Sequence, residues 1–352
     1  MSQLNVAVIG VGSISTHHLK SYQRNPHVRL YAVCDLNGER ARAKAEEYKA
    51  EKAYTDYHEL LADPKVDAVS ICTWNNTHAE ISIAALEAGK HVLVEKPPAM
   101  TVEEALRMQD AVECTGKLLQ IGFVRRYDAN AQLLRELAEQ GEFGELYYAK
   151  ASALRRLGNP GGWFADIERS GGGPLIDIGV HMIDLIWYLM GKPKPVSVSG
   201  NTYRKLGNRS SIRNLNFYKA ADYDPTHNTV EDMANALIRF DNGASLQVDV
   251  SFTLHAKEDS MMSRLYGTQG GFEIDPAVVI VTEKHNTIMN MTPQVNHPGF
   301  HFESAFQNEI NHFVECVRNN KQPLSPVADG VEIMRILRGI YDSAAQGQEV
   351  RL

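Results

Sequence analysis

No run of about 18 consecutive apolar residues occurs in this 352-residue chain, so a membrane-spanning helix is not expected. Positive charge is also short: the formal net charge is −7 and no long basic run appears, so no nucleic-acid partner is expected. Cysteine is sparse. Cys34, Cys72, Cys114 and Cys316 lie far apart with no Cys-x-x-Cys spacing, which argues against both a disulfide framework and a zinc site. Met1-Ser2-Gln3-Leu4-Asn5 runs straight into a strand-like segment without a charged region or a signal-peptide core, so the cytoplasm is the expected compartment. Internal repeats and low-complexity segments are missing too.

What remains is ordinary soluble composition, 43% apolar and 22% charged, in a chain longer than one core comfortably supports. Two domains are expected. Residues 4–124 alternate strand-like runs buried on both faces ("LNVAVIG", "VRLYAVCD", "DAVSICT", "HVLVEK", "LLQIGF") with amphipathic helical stretches. That alternation predicts a doubly wound parallel sheet over 1–124. From 125 to 352 the pattern changes. A helix near 128–140, a long strand "ELYYAKASALRR" and the strand-like runs "PVSVSGNTYRK", "EDMANALIRFD", "ASLQVDVSFTLHA", "SRLYGT", "GFEID" and "AVVIVTE" predict an α+β domain around a large, mostly antiparallel open sheet. Helices near 303–319 and 328–345 finish the chain. Residues 205–228 form a polar stretch without element signals, either functional or disordered.

Three stretches carry chemistry. In "VAVIGVGSIS", Gly10 and Gly12 follow a strand and precede a helix, the context that lets backbone N–H groups approach a pyrophosphate. Ser13 and Ile14 complete that turn, and Ser15 stands where a third Gly or Ala is usual. Asp35, about twenty residues on, sits where a carboxylate reads an adenosine ribose. In "CTWNNTHAE", the loop at a strand's carboxyl end should border the cofactor, although Asn75, Asn76 and Thr77 would equally serve as a helix cap. In "VLVEKPPAM", Glu95 and Lys96 precede two prolines. An ammonium there can steady a developing alkoxide, or form a surface ion pair.

The stretch "GGGPLIDIGVHMIDL" sets Asp177, His181 and Asp184 into an otherwise apolar helix, spaced to share one face. Ionisable groups there are costly unless paired, so either they form a satisfied structural set or their face looks into a working cavity. Before it, "LGNPGGWF" places Trp163 on a Gly-rich loop, as a sugar-stacking face or a buried anchor. Arg125 and Arg126, at the expected domain junction, either contact a polar substrate or sit in solvent.

Taken together, the Gly-x-Gly loop, the Glu-Lys-Pro after a strand and "GGGPLIDIGVHMID" resemble the glucose–fructose oxidoreductase / inositol dehydrogenase / MocA family across essentially the whole chain. That resemblance implies a Rossmann domain joined to an α/β domain whose open sheet forms dimers or tetramers. It implies that Gly10, Gly12 and Asp35 hold NAD, and that Thr73, Asn75 and His78 match a Thr-Pro-Asn-x-x-His loop in which Trp74 replaces the proline. By the same likeness Lys96 contacts cofactor and substrate, and Asp177 and His181 are the acid and imidazole beside the nicotinamide. The expected activity is NAD-dependent oxidation of a secondary hydroxyl of a sugar, sugar derivative or cyclitol. His181 would act as acid/base, Asp177 as its partner, and Arg125 and Trp163 as further substrate contacts. Glycoside cleavage or epimerisation with internal hydride return, and a non-catalytic nicotinamide sensor, are the rival readings.

Overall fold

A computed structural model describes residues 3–352, which divide into two compact units: the residues up to Tyr127 with Phe302–Met334, and Asp128–His301 with Arg335–Leu352. The first unit holds six strands, β1 (Leu4–Ile9), β2 (Val28–Cys34), β3 (Lys52–Tyr54), β4 (Ala68–Ile71), β5 (His91–Glu95) and β6 (Leu119–Gly122). They pair in parallel in the order β3-β2-β1-β4-β5-β6. The order reverses between β1 and β4, and ligands of open α/β sheets bind beyond the carboxyl ends of the strands at such a reversal. Val6, Val8, Val69, Leu93 and Val94 are fully buried, as two-sided cover by helices requires.

Those helices are α1 (Ser15–Arg24), α2 (Gly38–Tyr48), α3 (Tyr57–Ala62), α4 (His78–Glu87) and α5 (Val102–Thr115). Side chains of Asn37, Asp56 and Thr101 accept the first N–H groups of α2, α3 and α5. No side chain caps α1, whose N-terminus follows the Gly10-Val11-Gly12 loop. The short β3 and α3 went unnoticed in the sequence because neither is long enough to show a period.

The second unit contains α6 (Ala129–Glu139), β7 (Leu146–Leu154), α7 (Ile167–Ser170), α8 (Val180–Leu189), β8 (Pro195–Tyr203), β9 (Met233–Phe240), β10 (Ser245–Ser251), β11 (Ser260–Gly267), β12 (Gly270–Asp275), β13 (Val279–Lys284) and β14 (Thr287–Met291). With β15 (Val350–Arg351) they form a nine-stranded sheet ordered β14-β13-β12-β11-β7-β10-β9-β8-β15, antiparallel throughout except where β7 meets β10. One face, with Ala149, Ala151, Leu246, Val248, Ile238 and Leu265, is buried. The other carries Tyr148, Lys150, Leu237, Gln247 and Met262, all half-exposed. Residues 205–228 hold no helix or strand but are tied down: the Asn208 amide donates to the Asp224 and His227 carbonyls, and Ala220 N–H to Pro160 O.

The chain returns to the first unit through α9 (Phe302–Asn319), whose Ile310, Phe313 and Val314 share a core with Leu19 and Tyr22 of α1. Beyond it, Ser325 O accepts Ile121 N–H at 2.9 Å and the Ser325 hydroxyl donates to Ile121 O at 2.6 Å, which covers the outer edge of β6. The last helix, α10 (Val327–Gln346), spans the division between the units. Among the described residues no helix is long and apolar enough to cross a membrane.

Candidate active site

The site is built first at the carboxyl edge of the parallel sheet. Gly10, at φ 83°, lies so close to β4 that a Cβ there would sit 2.7 Å from Cys72 O and 2.9 Å from Thr73 Cγ2. Only glycine fits the turn. Around Gly12 nothing lies within 4 Å of where a Cβ would be, so the chain leaves open space beside an uncapped helix start. Backbone N–H groups facing open space at a helix N-terminus suit a pyrophosphate. Ser15, the departure from the usual third glycine, is fully buried and donates its hydroxyl to Gly12 O at 2.7 Å, so the loop gains a tie. Ser13 is exposed and Ile14 half-exposed in the same turn.

Asp35 follows β2 and faces this loop. Its Oδ2 accepts Val11 N–H at 3.0 Å and its Oδ1 accepts Asn37 N–H at 2.9 Å, with the Arg40 guanidinium 3.4 Å from Oδ1. The carboxylate is therefore oriented before any ribose arrives. These residues fit NAD: a glycine cradle for the pyrophosphate and a fixed acceptor for ribose hydroxyls.

His78 joins the two remaining cofactor stretches. It is buried, with Nδ1 2.7 Å from Pro97 O and Nε2 3.2 Å from Thr73 O. Burial pushes its imidazole below the usual value, so the neutral ring donates through one nitrogen. Thr73 accepts the Thr77 hydroxyl at 2.7 Å, Asn75 is buried and Trp74 is 40% exposed. The structure thus gathers Asp35, Gly10, Thr73, His78 and the Lys96-Pro97 turn along one sheet edge.

Lys96 is half-exposed between buried neighbours Glu95 and Pro97. The Glu95 carboxylate turns inward, not out: Oε1 lies 2.9 Å from His18 Nε2, and Oε2 accepts Lys96 N–H at 3.2 Å. Burial works to raise this carboxyl, but the hydrogen bond and charge of His18, helped by Lys96 and His78, hold it below the ordinary carboxylate value. His18 Nδ1 in turn meets Ser70 Oγ at 3.2 Å, which shares a 2.7 Å hydrogen bond with Tyr22 OH. The sequence offered one hint of this network, a His and a Tyr four apart on the buried face of α1.

The second unit has a candidate of its own at the start of α8. A π-helical turn, Leu175–Gly179, precedes it, and such turns recur at functional sites. From Gly171 to Met190 every residue is buried except Asp177 and His181, which are half-exposed one turn apart. Asp184 is 1% exposed and belongs to the interior. The glycines before the turn have a steric purpose: a Cβ on Gly172 would lie 2.0 Å from Tyr341 Oη, and one on Gly173 would lie 2.4 Å from Glu231 O. Nothing local in the sequence points to Glu231 or Tyr341 at this turn.

Trp163 sits in a short 3₁₀ turn, Gly162–Ala165, half-buried and stacked on Phe164 with ring centroids 3.9 Å apart. Arg125 and Arg126 correct one expectation, since neither sits in solvent. Both lie in the buried turn Val124–Tyr127; Arg126 is ion-paired to Asp329 and donates to Leu324 O at 2.9 Å, which makes it structural.

Residues 4–123 match the oxidoreductase family with an NAD-binding Rossmann fold, and 135–352 match the C-terminal alpha/beta domain of the same family. The chain is 35% identical to D-glucoside 3-dehydrogenase of Escherichia coli K12, covering 100% of this chain and 98% of that protein. It is 31% identical to scyllo-inositol 2-dehydrogenase (NAD(+)) of Bacillus subtilis 168, covering 99% and 96%. Levoglucosan dehydrogenase in complex with NADH superposes with a TM-score of 0.88 at 25% identity over 99% of each chain. A Gly-x-Gly turn beside the Asp35 carboxylate, at the strand-order reversal of a parallel sheet, thus coincides with full-length similarity, and the chain belongs to the glucose–fructose oxidoreductase / inositol dehydrogenase / MocA family of NAD-dependent oxidoreductases.

Proposed function

We propose that the protein oxidises a secondary hydroxyl of a sugar, sugar derivative or cyclitol, with the first unit holding NAD and the second binding substrate. The relatives named above, a glucoside and an inositol dehydrogenase, support that substrate class. The observation that carries the assignment of residues is the exposure pattern of the Gly171–Met190 stretch. A helix buried at every other position leaves open only an aspartate and a histidine that share a face.

Bound NAD supplies the hydride acceptor. His181 takes the proton from the substrate hydroxyl, acting as general base in oxidation and general acid in reduction. Asp177, one turn earlier, orients the imidazole, stabilises its charged form and reaches a neighbouring hydroxyl. Lys96 donates a hydrogen bond to the reacting oxygen, its backbone fixed by Glu95. Arg125 and Trp163 are proposed substrate contacts, and Ser13, Ile14, Thr73, Trp74, Asn75 and His78 line or hold the cofactor loops.

The half-exposed face of the nine-stranded sheet is the proposed surface for a homodimer or homotetramer. Tyr148 and Tyr266 stack on it at 5.6 Å, and Leu237 and Met262 lie on the same face. The cytoplasm is the proposed compartment: Cys34, Cys72 and Cys316 are buried free thiols, and burial raises all three, Cys34 to about 12 and Cys316 to about 11.

The test is a panel of sugars, cyclitols and glycosides followed by NADH absorbance, repeated with His181→Ala. The variant should lose kcat by roughly 10²- to 10⁴-fold, the usual worth of a positioned base, with NAD affinity unchanged. A destabilised variant that keeps full kcat in its folded fraction would end the catalytic reading.

A further inference from the structure

Three features lie outside the proposed reacting groups: the buried His18–Glu95 pair, an open cavity of about 220 Å³ lined by Arg156, Arg209 and His255, and the buried carboxylate behind the glycine run. In the cavity, Arg156 and Arg209 already donate to main-chain carbonyls. The carboxylate goes furthest. We propose that Glu231, held by Tyr341, is a positioning residue that fixes the start of the π-helical turn and thereby places Asp177 and His181. This inference rests on the functional reading above.

The first turn of any helix has N–H groups without intrahelical partners. Here Pro174 has none to offer, and Glu231 takes those on either side of it. Its Oε2 accepts Gly173 N–H at 2.9 Å and its Oε1 accepts Leu175 N–H at 3.2 Å. Glu231 is 1% exposed, so both bonds are shielded from water. A side chain from the loop before β9 thus acts as the cap that no local residue supplies. A carboxylate at a helix N-terminus also complements the helix dipole.

Glu231 is itself held. Tyr341 Oη donates to Oε1 at 2.8 Å, and the Arg338 guanidinium lies 5.0 Å over the Tyr341 ring while donating to Gly171 O at 3.3 Å. Burial, with the neighbouring carboxylate, pushes the Tyr341 phenol well up, so it remains a donor at any working pH. Gly172 and Gly173 leave room for this approach, as their missing Cβ atoms would collide with Tyr341 and Glu231. Two residues beyond Leu175 lies Asp177, and one further turn on lies His181. A shift of the first turn therefore moves both.

The decisive experiment is Glu231→Gln, alone and in a His181→Ala background, with Tyr341→Phe as the milder variant if the first folds poorly. An amide keeps one acceptor and sets its NH₂ donors against a main-chain N–H. Glu231→Gln should lower kcat by about 10²-fold, the scale of an ångström misplacement, with the NAD dissociation constant within about twofold. Tyr341→Phe should lower kcat about 3- to 10-fold, the loss of one hydrogen bond. Because residues acting as one unit are non-additive, Glu231→Gln should cost less than about twofold further in the His181→Ala background, although its loss of Tm persists there. A folded Glu231→Gln or Tyr341→Phe protein with wild-type kcat, or a full multiplicative loss on top of His181→Ala, overturns the inference alone. His181→Ala with wild-type kcat overturns the functional reading and this inference with it.

Discussion

Replacing Asp35 tests how the cofactor is chosen. The carboxylate is fixed by Val11 and Asn37 N–H groups, and only 11% of its side chain is exposed. A ribose 2′-phosphate would meet this anion directly. Two negative charges against one at about 4 Å cost roughly 2 kcal/mol even with the dielectric of water, and more in a partly buried site. The low figure alone corresponds to about 30-fold in affinity. Arg40 does not cancel it, since its guanidinium is already 3.4 Å from Asp35 Oδ1. Wild-type protein should therefore bind NAD at least about 30-fold more tightly than NADP. Asp35→Asn removes the repulsion and also weakens hydrogen bonds from the ribose, each worth roughly 1.5–3 kcal/mol when charge-assisted. The NAD/NADP ratio should fall by about two decades. Leu36, 88% exposed, can be changed to Arg at little structural cost, and the double variant should prefer NADP. Calorimetric titration of both cofactors measures the ratios. Equal binding of NAD and NADP by the wild type, or an unchanged ratio in a folded Asp35→Asn protein, would refute the reasoning.

Stability should fall as pH drops from about 6.5 to 4, in part through His91. Burial, then the Lys117 charge, push its imidazole down to about 4, and the neutral Nδ1 accepts Leu118 N–H at 3.1 Å. In that window the unfolded chain binds the proton that the fold refuses, so stability rises with pH across it. Urea midpoints at both ends should converge in His91→Gln, and an unchanged pH dependence would remove His91 from the account. Gly173→Ala should lose about 1–3 kcal/mol of stability by overpacking against Glu231 O; a thermal melt matching wild type counts against the steric argument. Light scattering at micromolar concentration should report a mass of twice or four times 39.2 kDa, and a stable monomer contradicts the open-sheet interface.

Which features could be read from the sequence follows from where their physics resides. The parallel sheet was legible because β1, β2, β4 and β5 are apolar on both faces and their helices begin at residues such as Asn37 and Thr101 that cap locally. The proposed cofactor loop is legible because Gly10, Gly12 and Asp35 lie on either side of one helix, within a single strand-helix-strand unit. The β3 and β15 strands, three and two residues long, carry no period to detect.

The supports of the proposed reacting groups are hidden for another reason. Glu231 lies 58 residues from Gly173 and 110 from Tyr341, and His18 lies 77 from Glu95. No local pattern can announce a hydrogen bond closed over such distances. Yet the sequence holds one half of each arrangement. Three consecutive glycines before Pro174 state that something large comes close to that turn, without saying what. Gly122 states the same beside β5, where a Cβ would lie 3.2 Å from Glu95 Cα and 3.4 Å from its carboxyl carbon. In both places a glycine makes room for a buried carboxylate that fixes the backbone next to a proposed reacting residue, Lys96 in one unit and Asp177 with His181 in the other. The vacant side of a glycine is thus a local mark of a distant partner, and structure is needed only to say which carboxylate fills it.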